Sequence, residues 1–255
     1  MNVSAPVRFC FLSLVAVPLA FLIDGNRGFA ADGAPPLRVC LVSGSLEYKS
    51  NESLAAYQQY LEGKYNVKCS RAFMEGKDET SLPGLENLKV CDVALVFTRR
   101  LRLSGEQLER IKSYCQSGKP LVGVRTASHA IQTWLDLDKE VLGGNYHGHY
   151  QAGPATEIKI LESANQHPIL AGFEPFRSAG SLYKNEGLAT DNEILLSGTI
   201  PDHTEAIAWT RMHNGGRVYY TSLGDPQDFK EESFRRMLAN ALFWTANRTP
   251  APLKR

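Results

Sequence analysis

Through the first half of the chain, near-continuous apolar runs alternate with stretches whose apolar positions recur every three or four residues. LRVCLVSG (37–44), NVKCSRAF (66–73), CDVALVF (91–97) and KPLVGV (119–124) are of the first kind. A strand apolar on both faces belongs in a sheet covered on both sides. NESLAAYQQYLEGKY places Leu54, Tyr57 and Leu61 on one helical face. Ser104 opens a second helix in a capping-box pattern with Gln107; Leu108, Ile111 and Cys115 form its stripe, and Gly118 ends it. The alternation predicts an α/β fold built on a mostly parallel sheet.

The second half is richer in strands. ATEIKILE (155–162), NEILLSG (192–198), TEAIAWTR (204–211) and GRVYYTSLG (216–224) extend the sheet, and Asn214-Gly215-Gly216 predicts a hairpin between the last two. A closing helix over about 231–246 carries Phe234, Met237, Leu238, Ala241, Leu242 and Thr245 on one face. No repeat or linker divides the chain, so one domain over 37–247 is expected.

Composition changes this picture at the N-terminus. Arg8 precedes an apolar stretch from Phe9 to Ile23, and small residues follow at Ala30 and Ala31. This is the pattern of a secretory signal over residues 1–30, too short for a membrane span. It predicts export to a periplasmic or extracellular destination. The segment carries Arg8, Arg27 and Asp24, so its removal leaves 26 basic and 26 acidic residues. That balance argues against nucleic acid or an anionic membrane as partner. Cys40, Cys69, Cys91 and Cys115 show no C-x-x-C spacing. Buried thiols are the expectation, with a Cys69–Cys91 or Cys40–Cys69 disulfide the alternative in an oxidising compartment.

Ligands of open parallel sheets bind beyond the carboxyl ends of the strands. That rule selects Ser43–Glu47, Thr98–Arg102 and Arg125–His129. The last follows a strand in GVRTASHA, where a helix N-terminus after Arg125 would favour a carboxylate or oxyanion. VLGGNYHGHY (141–150) spaces His147 and His149 two apart, on one side of an extended segment. With His129 these make a candidate proton-transfer group; a divalent ion held by His147, His149 and His129 is the weaker reading, and no other cofactor is implied. Tyr183 and Lys184 in SLYKNEG form either a pocket wall or a solvated strand end, and Asp225, placed at a strand end by Gly224, is a candidate partner for Arg125 or a histidine. His167 is expected in a structural turn before Pro168, His203 and His213 at the surface, and Trp134 and Trp209 in the core.

Taken in order, VGVRTASHA, LGGNYHGH, HPI, SLYKN, AIAWTR, GGRVYYTSLG and FRRMLANALFWTA resemble the ThuA-like (trehalose-utilisation) family over about Leu37 to Asn247. The resemblance implies a flavodoxin-like, class I glutamine-amidotransferase-like three-layer sandwich. It matches the family's histidines to His129 and His149. Two departures stand out: Arg125 sits at an elbow where many relatives have histidine, and Gly224-Asp225 where many have Gly-His. Arg125 also replaces the cysteine nucleophile of amidotransferases, which argues against a glutaminase. The expectation is an exported enzyme, a lyase, hydrolase or isomerase, acting on disaccharides or 3-keto-sugar derivatives. His129 and His149 would be its acid and base, His147 their support, and Arg125 with Ser128, Tyr183 and Asp225 would bind substrate. The partner is then a small carbohydrate, with a homodimer left open. A non-catalytic sugar-binding protein on the same fold is the competing expectation.

Overall fold

The computed structural model describes Met1, residues 34–151 and residues 153–253. The signal-like segment, with Cys10, lies outside them. Among the described residues no helix is long and apolar enough to cross a membrane.

Nine strands form one sheet. In chain order the elements are β1 (Leu37–Gly44), α1 (Ser50–Lys64), β2 (Val67–Phe73), β3 (Val93–Thr98), α2 (Gly105–Gln116), β4 (Leu121–Val124), β5 (Thr156–Ile160), β6 (Arg177–Ser178), β7 (Glu193–Ile200), β8 (His203–His213), β9 (Gly216–Thr221) and α3 (Glu232–Thr245). Their order across the sheet is β2-β1-β3-β4-β9-β8-β7-β5-β6. The first five are mutually parallel, with Val42 beside Val96 and Val122 beside Tyr219. From β9 onward each neighbour runs antiparallel. The sheet is therefore mixed, and the strands buried along nearly their whole length, β1, β3 and β4, lie in its parallel half.

Alternation along each strand feeds two cores. One face packs Tyr219 with Leu54, Tyr57 and Leu61 of α1 and Phe234, Met237 and Leu238 of α3. The other packs Tyr220 and Trp209 with Ile111, Tyr114 and Cys115 of α2 and with Trp134, Leu137 and Leu142. Helices thus lie on both faces, giving three layers. Burying each such aliphatic or aromatic side chain contributes roughly 1.5–3 kcal/mol. α3 is buried more completely than a one-sided stripe requires: Ala239, Asn240 and Phe243 are covered too. Trp134 and Trp209 lie in the core, as expected. The four described cysteines are unpaired.

Two local expectations are corrected. Ser104 does cap α2, but its side chain makes no capping bond. Gln107 turns away, and its Oε1 accepts the Leu82 N–H at 2.7 Å, so a loop takes the amide that the capping box would have used. After β4 there is no α-helix, only a 3-10 turn over Arg125–His129. The carbonyls of His129 and Ala130, which a helix would use, instead accept the Arg100 and Leu101 N–H groups at 2.8 and 2.9 Å. Tertiary pairing with the loop after β3 unwinds the segment. The hairpin turn forms as the sequence predicts, with Asn214 and Gly215 both at positive φ and His213 paired to Gly216.

Candidate functional site

The loops after β1, β3, β4 and β9 converge at the carboxyl edge of the parallel strands. Arg125 stands at the centre, at a φ of 50°, which a non-glycine residue adopts only when its surroundings hold it there. Its side chain is 2% exposed. Nη1 donates to the Ser222 carbonyl at 2.6 Å, and Nη2 to the Ser181 carbonyl at 3.0 Å and the Tyr48 hydroxyl at 3.2 Å. The guanidinium carbon sits 4.8 Å from the Tyr48 ring centroid and 4.3 Å from that of Tyr183. A Cβ on Gly180 would fall 2.9 Å from Nη1, so only glycine leaves room for the fork there. Burial opposes the charge, but Tyr183, Tyr48 and Asp228 outweigh it and hold the guanidinium protonated. Nε alone is buried without a partner.

Arg125 is thus occupied by the protein itself and lies beneath the cleft rather than on its wall. Tyr183, also buried, stacks under it. Asp225 pairs with neither Arg125 nor a histidine: its Oδ1 accepts the Gln227 N–H at 2.9 Å, closing its own turn. The buried carboxylate of that loop is Asp228, whose Oδ2 accepts from the Ser178 hydroxyl and from the Gly224 and Asp225 N–H groups. Burial lifts it to about 6, against those donors.

Above Arg125 is a cleft of about 390 Å³ whose wall includes Arg100, Ser128, His129, Asp138, Tyr146 and His147. His129 is 6% exposed and stacks on Tyr146, the centroids 4.4 Å apart. Its Nδ1 lies 3.0 Å from Ser128 Oγ. Burial, then Arg100, Arg99 and Arg125, push its pKa down to about 3, so the ring is neutral at physiological pH. His147 donates Nδ1–H to the Asn145 carbonyl at 2.7 Å, leaving Nε2 as the acceptor. His149 makes the same kind of bond to its neighbour Tyr150 and is not on the wall. Gly148 between the two histidines has a φ of 121°, which breaks the extended geometry that would have aimed both rings alike. Among the described residues no three His, Cys, Asp or Glu side chains are grouped to hold a metal ion. His167 caps its own turn, accepting the Ile169 N–H, and His203 stacks on Tyr150 away from this cleft.

Asp138 is a wall residue that sequence reasoning missed. It lies on a single π-helical turn, Leu137–Leu142, a rare form that recurs at functional sites. Its Oδ2 accepts the Tyr146 N–H at 2.8 Å, while Oδ1 is buried without a partner. A Cβ on Gly144 would fall 2.0 Å from Oδ1, so the glycine pair after the turn is what lets the loop close over the carboxyl. Burial raises Asp138 to about 7, the Tyr146 N–H opposing. No spacing rule marks it, because desolvation is a tertiary property; the nearest signal is the Gly143-Gly144 bend.

A family model described as ThuA, trehalose utilisation, matches residues 38–245. The chain belongs to the ThuA family. Among solved structures, this ThuA protein is similar to a protein described as ThuA-like from Parabacteroides merdae, with a TM-score of 0.66 and 14% identity over 86% of this chain and 98% of that one. A second, from Bacteroides uniformis, gives 0.62 and 17% over 86% and 95%. A β-galactosidase from Bacillus circulans gives 0.57 and 13%, covering 83% of this chain but 31% of the enzyme. At these identities the likeness is one of fold. No curated protein sequence matches the chain.

Two outcomes follow from the buried groups. Arg125→Met should strand the Ser181 and Ser222 carbonyls, each worth about 1–3 kcal/mol when left unpaired, and urea denaturation should show a loss of several kcal/mol without a change of m-value. Asp138 acts through linkage. From about pH 4 to about pH 7 the folded protein keeps a proton that the unfolded chain releases, so stability falls as pH rises and the loss is complete above about pH 7. The full shift corresponds to about 4 kcal/mol. Asp138→Asn should therefore melt higher than the parent at pH 8, with the gap closing toward pH 4 in a thermal-unfolding series.

Proposed function

We propose that this ThuA protein is an exported enzyme that processes disaccharides or 3-keto-sugar derivatives in the cleft walled by His129 and His147. The observation that carries this reading is the pairing of a neutral, buried imidazole with a second imidazole whose Nε2 lone pair is left available on the same wall. The apolar segment 9–23 supports export. The strand order β2-β1-β3-β4-β9 supports the flavodoxin-like, amidotransferase-like relationship, whose ligands sit at this sheet edge. Glutaminase chemistry is not proposed: the elbow residue is a buried arginine, and Cys91 and Cys115 lie in the core.

A keto group acidifies the adjacent C–H, and the two histidines divide the work. Ser128 Oγ lies 3.0 Å from His129 Nδ1 and 3.5 Å from the Arg125 carbonyl, and in this reading its hydroxyl proton goes to the nearer acceptor, Nδ1. His129 then presents Nε2–H to the keto oxygen as a neutral donor, a role a depressed imidazole fills better than that of base. His147 Nε2 takes the proton from carbon, the pair of that C–H bond forms the carbon–carbon double bond of an enolate, and the carbonyl π pair moves onto the oxygen held by His129. Return of the proton completes an isomerase cycle, departure of a group from the next carbon a lyase cycle, and addition of water to the enone so formed a hydrolase cycle. His147 thereby takes the base role that the sequence suggests for His149. Arg125 and Tyr183 support the cleft floor, Ser128 positions His129, and Asp225 shapes its own loop.

His147→Ala should lower turnover of a 3-keto-glucoside by about 10²–10⁴-fold, with the melting temperature unchanged; His129→Ala should cost roughly 10²–10³. Full activity in both variants would remove the assignment and leave a binding protein.

A further inference from the structure

The wall of this cleft carries a charge that proton transfer between His129 and His147 leaves unused. Three arginines follow β3 in the sequence RRLR. Arg99 pairs with Glu47 at 2.7 Å and Arg102 with Glu79 at 3.5 Å. Arg100, between them, has no ion-pair partner among the described residues. Its Nη1 donates only to the neutral Gln132 amide, at 2.9 Å. Its backbone sits at a φ of 48°, held by the Arg100 N–H to His129 carbonyl bond that unwinds the turn after β4. Lys139, on the π-helical turn, lines the same cleft and likewise has no ion-pair partner among the described residues.

The anionic side of the balance is thin. Asp138 is the one carboxyl on the wall, and it is buried, with one oxygen taken by the Tyr146 N–H. Tyr220 of β9 and the Tyr146 N–H act on Asp138, and the cleft is further lined by Ser128, His129 and His147; none of these is a carboxylate. Glu140, beside Lys139 on the turn, is not on the wall. Two cations therefore converge on one concave surface whose single carboxyl is buried and already holds the Tyr146 N–H. A cleft of one sign with low-dielectric walls focuses its field on whatever enters.

We infer that the ligand of this cleft is an acidic sugar, a carbohydrate carrying a carboxylate or phosphate, with Arg100 and Lys139 as the groups that hold the anion. A neutral disaccharide would leave both cations uncompensated, and a guanidinium presented on the wall suits the planar fork of an oxyanion. This deepens the sugar reading of the same cleft and rests on it. It also moves the substrate-holding role of an arginine from Arg125, where the sequence suggests it, to Arg100.

Calorimetric titration of the full chain with glucuronate, gluconate, glucose 6-phosphate, glucose, trehalose, acetate and inorganic phosphate tests it. An acidic sugar should bind at least about tenfold tighter than glucose, and the preference should shrink as salt rises from about 50 to about 500 mM. Arg100→Gln and Lys139→Gln, both at exposed positions, should each erase most of that preference without weakening glucose. Glucuronate against glucose 6-phosphate decides between carboxylate and phosphate. If glucose or trehalose binds as tightly as the acidic sugars, or both variants keep the preference, the acidic-ligand inference fails and the sugar reading stands. Acetate and inorganic phosphate matching the acidic sugars would sink the sugar reading instead, and no binding by any probe would overturn both.

Discussion

One buried guanidinium organises the carboxyl edge of this sheet. Arg125 gathers the loop after β1 through Tyr48, the loop after β9 through Ser222, and the 180–183 segment through Ser181 and the Tyr183 ring. These pieces are far apart in the chain and meet only here. A delocalised, weakly hydrated cation can be buried in this way where an ammonium could not, because its planar donors reach several carbonyls while aromatic faces cover it. Gly180 and Gly224 make the space: Cβ atoms on them would press against the guanidinium and against Arg125 Cβ and Val124.

That arrangement sets the electrostatics above it. Burial acts in opposite directions on a base and an acid, and here both outcomes are neutral groups. His129 loses its proton under desolvation and the fields of Arg100, Arg99 and Arg125, while Asp138 keeps its proton to about neutrality under desolvation alone. The cleft is thus lined by an uncharged imidazole and a reluctant carboxyl, with the cationic charge confined to Arg100 and Lys139 at the rim. The turn after β4 supplies Arg125 as a structural tie and His129 as a wall residue, and the second imidazole of the wall, His147, comes from the following loop.

Much of the fold is legible in residues alone. The bounds of β1, β2, β3 and β4, the hairpin at Asn214-Gly215 and the extent of α3 follow from periodicity and turn chemistry, since they depend on short-range sterics and on which face is apolar. Site placement is legible more coarsely. The strand-end rule selects Thr98–Arg102 and Arg125–His129, and the histidines of VLGGNYHGHY lie beside them. The reach of that rule ends at orientation: it could not separate Arg99, paired with Glu47, from Arg100, or His147, on the wall, from His149, turned to Tyr150.

Sequence by itself determined the α/β class, the parallel half of the sheet, the family, and the absence of a cysteine at the elbow, because each is written in local pattern or residue identity. Tertiary structure decided the rest. Pairing of His129 and Ala130 with the loop after β3 removed the expected helix, and burial made His129 neutral and raised Asp138 to about 7. Contacts from three distant segments turned Arg125 from a ligand-binding candidate into a structural tie. Desolvation and the capture of hydrogen-bonding groups depend on neighbours brought in by the fold, and no spacing along one chain records them.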